Sequence, residues 1–129
     1  MDRTPSLRVT EWAVMLRILL VEDEALISLT TSMSLEDAGY HVTVAYDGQE
    51  GLRIAMQDRP DLIISDFMMP RKTGLEMIAA LRENGFAGAI VLTTSVPEDL
   101  LPVRTGYDAY LAKPYREEQL LQALRRFGS

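Results

Sequence analysis

Five short apolar runs recur along the chain, and most of the segments between them read as helices. Arg17 to Val21 (RILLV) is the first run and ends on Glu22-Asp23-Glu24. Leu26, Leu29 and Met33 follow at helical spacing, and Gly39 stands where a helix favours a left-handed C′ residue. His41 to Ala45 (HVTVA) is short and β-branched, a second strand. Asp47, with Glu50 three residues on, opens a helix in the manner of a capping box, and Pro60 bounds it. Leu62 to Ser65 is a third strand. Thr73 with Glu76 repeats the capping signature, and Leu75, Ile78, Ala79 and Leu81 give that helix its buried face. Ile90 to Thr93 and Ala109 to Ala112 are the fourth and fifth strands. A last helix begins near Arg116 and buries Leu120, Leu121, Leu124 and Phe127.

Strands separated by helices specify an α/β fold with a parallel sheet covered on both faces. The unbroken apolar character of strands one, three and four agrees, because strands covered on both sides need not alternate. Right-handed crossovers then set every strand's C-terminal end on one edge, where such sheets hold ligands. Glu22 and Asp23 follow the first strand, Asp66 the third, Thr94 the fourth and Lys113 the fifth. Three carboxylates, a hydroxyl and an ammonium are thus expected to converge. Two carboxylates about 4 Å apart repel by about 4 kcal/mol at an effective dielectric of roughly 20, so the group calls for a cation. Oxygen donors, few and partly open to water, suit Mg²⁺ better than zinc or an enclosed calcium cage. Lys113 adds a positive charge able to pair with Asp66 or with an oxyanion attached to it.

Composition removes several other chemistries. The absence of cysteine excludes disulfides, thiolate metal sites and cysteine nucleophiles. The single histidine, His41, excludes a multi-histidine cage, and its place at the start of the second strand makes it structural. A net charge of −6 with no basic cluster removes the electrostatic term that drives nucleic-acid binding. The longest apolar stretch, Ala13 to Val21, is broken by Arg17, is too short to span a membrane and lacks a signal-peptide layout. The cytoplasm is therefore the expected compartment. At 129 residues one domain is expected, with 1–15 as a mobile N-terminal extension in which Trp12 is able to dock on a surface, and 16–129 as the domain itself.

The runs ILLVEDE, DLIISDFMMPRKTG, VLTTS and YLAKPY, in that order, resemble the receiver domain of bacterial two-component response regulators. The likeness extends from about Leu16 to Phe127. It implies a doubly wound five-stranded parallel sheet of flavodoxin-like strand order 2-1-3-4-5. It also implies a signalling module, not an enzyme acting on other substrates, whose only catalysis is its own phosphorylation and dephosphorylation. The phosphodonor would be a sensor histidine kinase or a histidine phosphotransfer protein, and an unknown downstream protein would respond. By the same resemblance Asp66 is the phosphoacceptor. Asp23 and Asp66 bind Mg²⁺ directly, Glu22 through water, and the backbone carbonyl of Met68 completes the protein ligands. Thr94 donates its hydroxyl to a phosphoryl oxygen and Lys113 pairs with another. Tyr110 is the aromatic that turns on activation, and the Lys113-Pro114 peptide is cis. Thr93 and Ser95 compete for the hydroxyl role, and register favours Thr94.

Other readings are weaker. An aspartate-nucleophile phosphatase needs a second Asp two residues after the nucleophile, and that position is Met68. A flavin module needs a phosphate cradle after the first strand, where VEDEAL is acidic. The remaining alternative is a metal-binding or protein-interaction scaffold of this fold that is never phosphorylated. Nothing follows Ser129, so action without an attached output domain is expected. From Thr94 to Lys113 the chain advances 19 positions. That is about three fewer than the family typically uses, close to one helical turn. Pro97 and Pro102 fall in the same stretch, and Pro102 would break a helix at a cost of about 3 kcal/mol. Pro97 to Thr105 is therefore predicted to form at most a short helical turn, a shortened or irregular fourth helix. That change would alter the family's usual activated-dimer surface and favour a monomer.

Overall fold

The structure, a computed structural model, describes residues 16–69 and 71–127. Residues 1–15, with the expected extension and Trp12, lie outside the described residues. β1 (Arg17–Val21), β2 (His41–Ala45), β3 (Leu62–Asp66), β4 (Ala89–Thr94) and β5 (Ala109–Ala112) form one parallel sheet in the order β2-β1-β3-β4-β5. Helices α1 (Ala25–Asp37), α2 (Gly48–Asp58), α3 (Gly74–Glu83) and α4 (Glu117–Arg125) cover it. This is the doubly wound order implied by the resemblance. β3 and β4 each run one residue further than expected, so Asp66 and Thr94 are the last residues of their strands.

Successive strand residues point to opposite faces and so build two cores. Ile18 and Leu20 face Leu35 of α1 and Leu120 and Leu124 of α4. Leu19 and Val21 face Ala55 of α2 and Ile78 and Leu81 of α3. Every residue of β3 is buried, which makes the central strand a rigid mount for its terminal Asp66. Cutting Ile63 back to alanine would cost about 2–5 kcal/mol at such a site.

Helix starts follow the capping chemistry read from sequence. Asp47 accepts a bond from the Glu50 N–H at 2.7 Å, and Glu50 accepts one from the Tyr46 N–H at 2.9 Å. In α3 the box is reciprocal: Thr73 accepts from the Glu76 N–H at 3.2 Å, and Glu76 from the Thr73 N–H at 2.9 Å. Gly39 adopts a φ of +101° after α1, as its C′ position asks. α1 starts after Glu24, whose side chain makes no capping bond.

Two faces differ from expectation. Leu26, Leu29 and Met33 of α1 are 73%, 56% and 54% exposed, while Ser28, Thr31 and Leu35 turn inward. Both sets have helical spacing. The small Ser28 and Thr31 let the helix lie close to the sheet, and the Thr31 hydroxyl meets that of Tyr115 at 3.3 Å. In α3, Ala79 is exposed and Met77 takes the buried place assigned to it. Leu121 and Phe127 are half-buried at the edge of their core rather than inside it.

Between β4 and β5 the only regular element is a 3₁₀ turn, Glu98–Leu100, opened by Pro97. The predicted loss of the fourth family helix is what the chain has done. Leu101 plugs the core at 6% exposure, while Leu100 and Val103 face outward.

Candidate functional site

At the C-terminal edge of the sheet, β1 delivers Glu22 and Asp23 and β3 delivers Asp66. One carboxylate oxygen from each lies within 4.8 Å of the other two. Lys113, just past β5, places its Nζ 2.8 Å from Glu22 Oε1 and 3.4 Å from Asp66 Oδ2. The expected pairing with Asp66 is present, and Glu22 is the nearer partner. Asp66 Oδ1 accepts the Phe67 N–H at 2.7 Å, and Glu22 Oε2 accepts the Glu24 N–H at 3.2 Å. The Lys113-Pro114 peptide is cis, as implied.

Burial sets the electrostatics. Glu22 and Asp66 are buried, Asp23 is exposed, and burial raises the first two carboxyls above their ordinary range against the pull of Lys113. Burial also pulls the Lys113 ammonium down, but its bond to Glu22 and the charges of Asp66 and Glu22 outweigh this and leave it raised. Three carboxylates face one ammonium, so the cluster carries excess negative charge. An all-oxygen donor set of this size, open on the Asp23 side, fits a Mg²⁺ ion.

A family model for the response regulator receiver domain matches residues 18–125. The chain belongs to this family. Receivers of this CheY-like kind are phosphoryl-accepting signalling modules. Among relatives, the response regulators MprA of Mycolicibacterium vanbaalenii and of Mycobacterium tuberculosis are each 40% identical over 112 residues. The match covers 84% of this chain and 48% and 49% of those proteins, so the chain spans about half the length of these curated relatives. Among solved structures, chemotaxis response regulator CheY4 of Vibrio cholerae is 36% identical with a TM-score of 0.78, covering 88% of this chain and 98% of that one. Response regulator TrrA of Thermotoga maritima, solved in complex with Mg²⁺-BeF, is 28% identical with a TM-score of 0.81, over 88% and 99%.

Around the acidic cluster of this receiver the two threonines of β4 diverge. Thr93 directs its hydroxyl to the Ser65 carbonyl at 3.4 Å, whereas Thr94 accepts the Val96 N–H at 3.1 Å and gives its own proton to no described residue. Ser95 is exposed. Tyr110 packs on the α2/α3 side of the sheet, and its hydroxyl donates to the Val96 carbonyl. Its side chain is half-buried. Met68 has an exposed side chain, while Met69 is buried. His41 is exposed at the far end of the sheet. The sequence reading missed Arg71 and Lys72, which contact α2 across the connection after β3. Glycine in Asp47-Gly48 was the available signal, since a Cβ at Gly48 would collide with the Lys72 carbonyl.

Proposed function

We propose that Asp66 accepts a phosphoryl group from the phosphohistidine of a sensor kinase or a histidine phosphotransfer protein. The observation that carries this reading is the convergence of Glu22, Asp23 and Asp66 with Lys113 on one strand edge. An Asp66 oxygen attacks phosphorus, an O–P bond forms as the N–P bond of the donor breaks, and the imidazole leaves with a proton. Water later splits the acyl phosphate and returns the carboxylate and inorganic phosphate. Glu22, Asp23, Asp66 and the Met68 carbonyl would hold Mg²⁺, which offsets the charge of the incoming phosphoryl oxygens. Lys113 exchanges its carboxylate partners for one of those oxygens. The Thr94 proton, without a described partner, is available to another.

A protein donor has a surface to approach. A groove of about 360 Å³ beside Lys113 is lined by Ile27, Thr30, Ser95, Pro114 and Tyr115. Thr30 also lies on the outward face of α1 that carries Leu26, Leu29 and Met33. An apolar helical donor fits that combination. Transfer of radiolabelled phosphate from phosphorylated histidine donors of the host tests the reading. Label should move to the native chain and not to Asp66→Asn. Equal labelling of both would move the acceptor away from Asp66, and labelling by no donor would leave the unphosphorylated scaffold as the better description.

A further inference from the structure

Asp47 and Arg71 stand apart from the carboxylate cluster, and the chemistry above uses neither. Asp47 is 3% exposed and is the N-cap of α2, with one oxygen on the Glu50 N–H. Its other oxygen receives the guanidinium of Arg71. Arg71 reaches it from the connection between β3 and α3, on a backbone held left-handed at a φ of +68°. One residue on, the Lys72 carbonyl oxygen packs over Gly48 where no side chain fits. Arg71 is thus bonded to the N-cap of α2, and Lys72 packs closely on the first residue of that helix. The same connection also carries Met69, buried in the core that holds Ala55 of α2, and is closed by the Gly74 N–H on the Phe67 carbonyl at 2.8 Å. Met68 lies between these fastenings.

We propose that Asp47 and Arg71 are positioning residues for the metal, fixing the β3–α3 connection so that the Met68 carbonyl is held ready for Mg²⁺. This rests on the reading of Glu22, Asp23 and Asp66 as the metal site. A backbone ligand on an unfastened loop must be ordered when the ion binds, and that ordering lowers affinity. An exposed ion pair alone orders little. Here one partner is buried and already fixed by its capping bond, so the arginine docks onto a prepared carboxylate. A planar guanidinium suits that role better than an ammonium.

MgCl₂ titrations followed by backbone amide shifts, without any phosphodonor, give the affinity of each variant. Arg71→Ala removes the fastening from an exposed position, and Asp47→Asn removes the charge while keeping a capping oxygen. Each should weaken Mg²⁺ binding by about tenfold, as loss of an outer-shell support does. The double variant should be no weaker than either single one, because both break the same contact. Arg71→Lys should recover part of the loss, and Arg53→Ala, on the same face, should change nothing. A plain field effect gives opposite signs: losing Arg71 would tighten Mg²⁺ and losing Asp47 would loosen it. That pattern, additive losses, or an Arg71→Ala affinity equal to the native one would overturn the proposal while leaving the metal site intact. A native chain that does not respond to MgCl₂ would overturn the site and its positioning pair together.

Discussion

Thr93 and Thr94 are adjacent and chemically identical, yet the strand pleat gives them different fates. Thr93 is committed to the Ser65 carbonyl, and Thr94 retains a proton beside the acidic cluster. Thr94→Ala should still accept a phosphoryl group on Asp66. It should cost about 1 kcal/mol of stability through the lost Val96 contact, and it should lose most of the coupled change near Tyr110. Amide shifts on beryllofluoride binding check this; native-sized shifts at Tyr110 in the variant would remove Thr94 from the coupling. The places of Asp66, Glu22, Asp23 and Thr94 at the sheet edge were legible because each ends or follows an apolar run. The preference of Lys113 for Glu22 was not, since side-chain pairing across three strands depends on distances that a linear pattern does not carry. Asp47 gives a second test at this scale. Its bond from the Glu50 N–H, against the opposing effect of burial and helped by Arg71, holds its carboxyl below the ordinary range. Such a group contributes stability above its unfolded pKa and loses it as pH falls through the depressed folded value. Asp47→Asn should therefore melt lower than the native chain near neutrality, with the gap closing below the ordinary carboxylate range. A gap that persists unchanged through that range would contradict the assignment.

The connection between β4 and β5 shows how far local signals reach at the level of elements. Two prolines and a short count announced that no full helix forms there, and one 3₁₀ turn is present. What holds the segment instead was not readable. The Tyr107 hydroxyl donates to Glu98 at 2.8 Å, and burial with that contact pushes its pKa up to about 12. Tyr110 ties the Val96 carbonyl at the other end. Tyr110→Phe should cost about 1 kcal/mol and speed hydrogen exchange from Val96 to Leu101 selectively. Uniform exchange in both chains would mean the bond does not secure the segment. The helix of α1 teaches the converse lesson. Periodicity located it correctly, but two stripes at the same spacing competed, and apolarity selected the one that faces solvent. Close approach of small residues to the sheet outweighed side-chain hydrophobicity, a choice only tertiary packing makes.

At the scale of the whole molecule, one sheet order brings three elements to a common edge and leaves the α1 face and its groove beside that edge. Leu29→Glu should leave stability nearly unchanged, because the side chain is 56% exposed. It should slow phosphotransfer from a protein donor while leaving the rate with acetyl phosphate intact. Equal slowing with both donors would place the defect in the site and not in docking. The central claim is that Asp66 is the nucleophile of a metal-dependent acidic site. Intact-mass measurement after acetyl phosphate treatment tests it most directly, in MgCl₂ and in excess chelator. The expected result is a single phosphoryl adduct on the native chain in MgCl₂, none in chelator, and none on Asp66→Asn. Full modification in chelator, or an adduct that persists in Asp66→Asn, would contradict it.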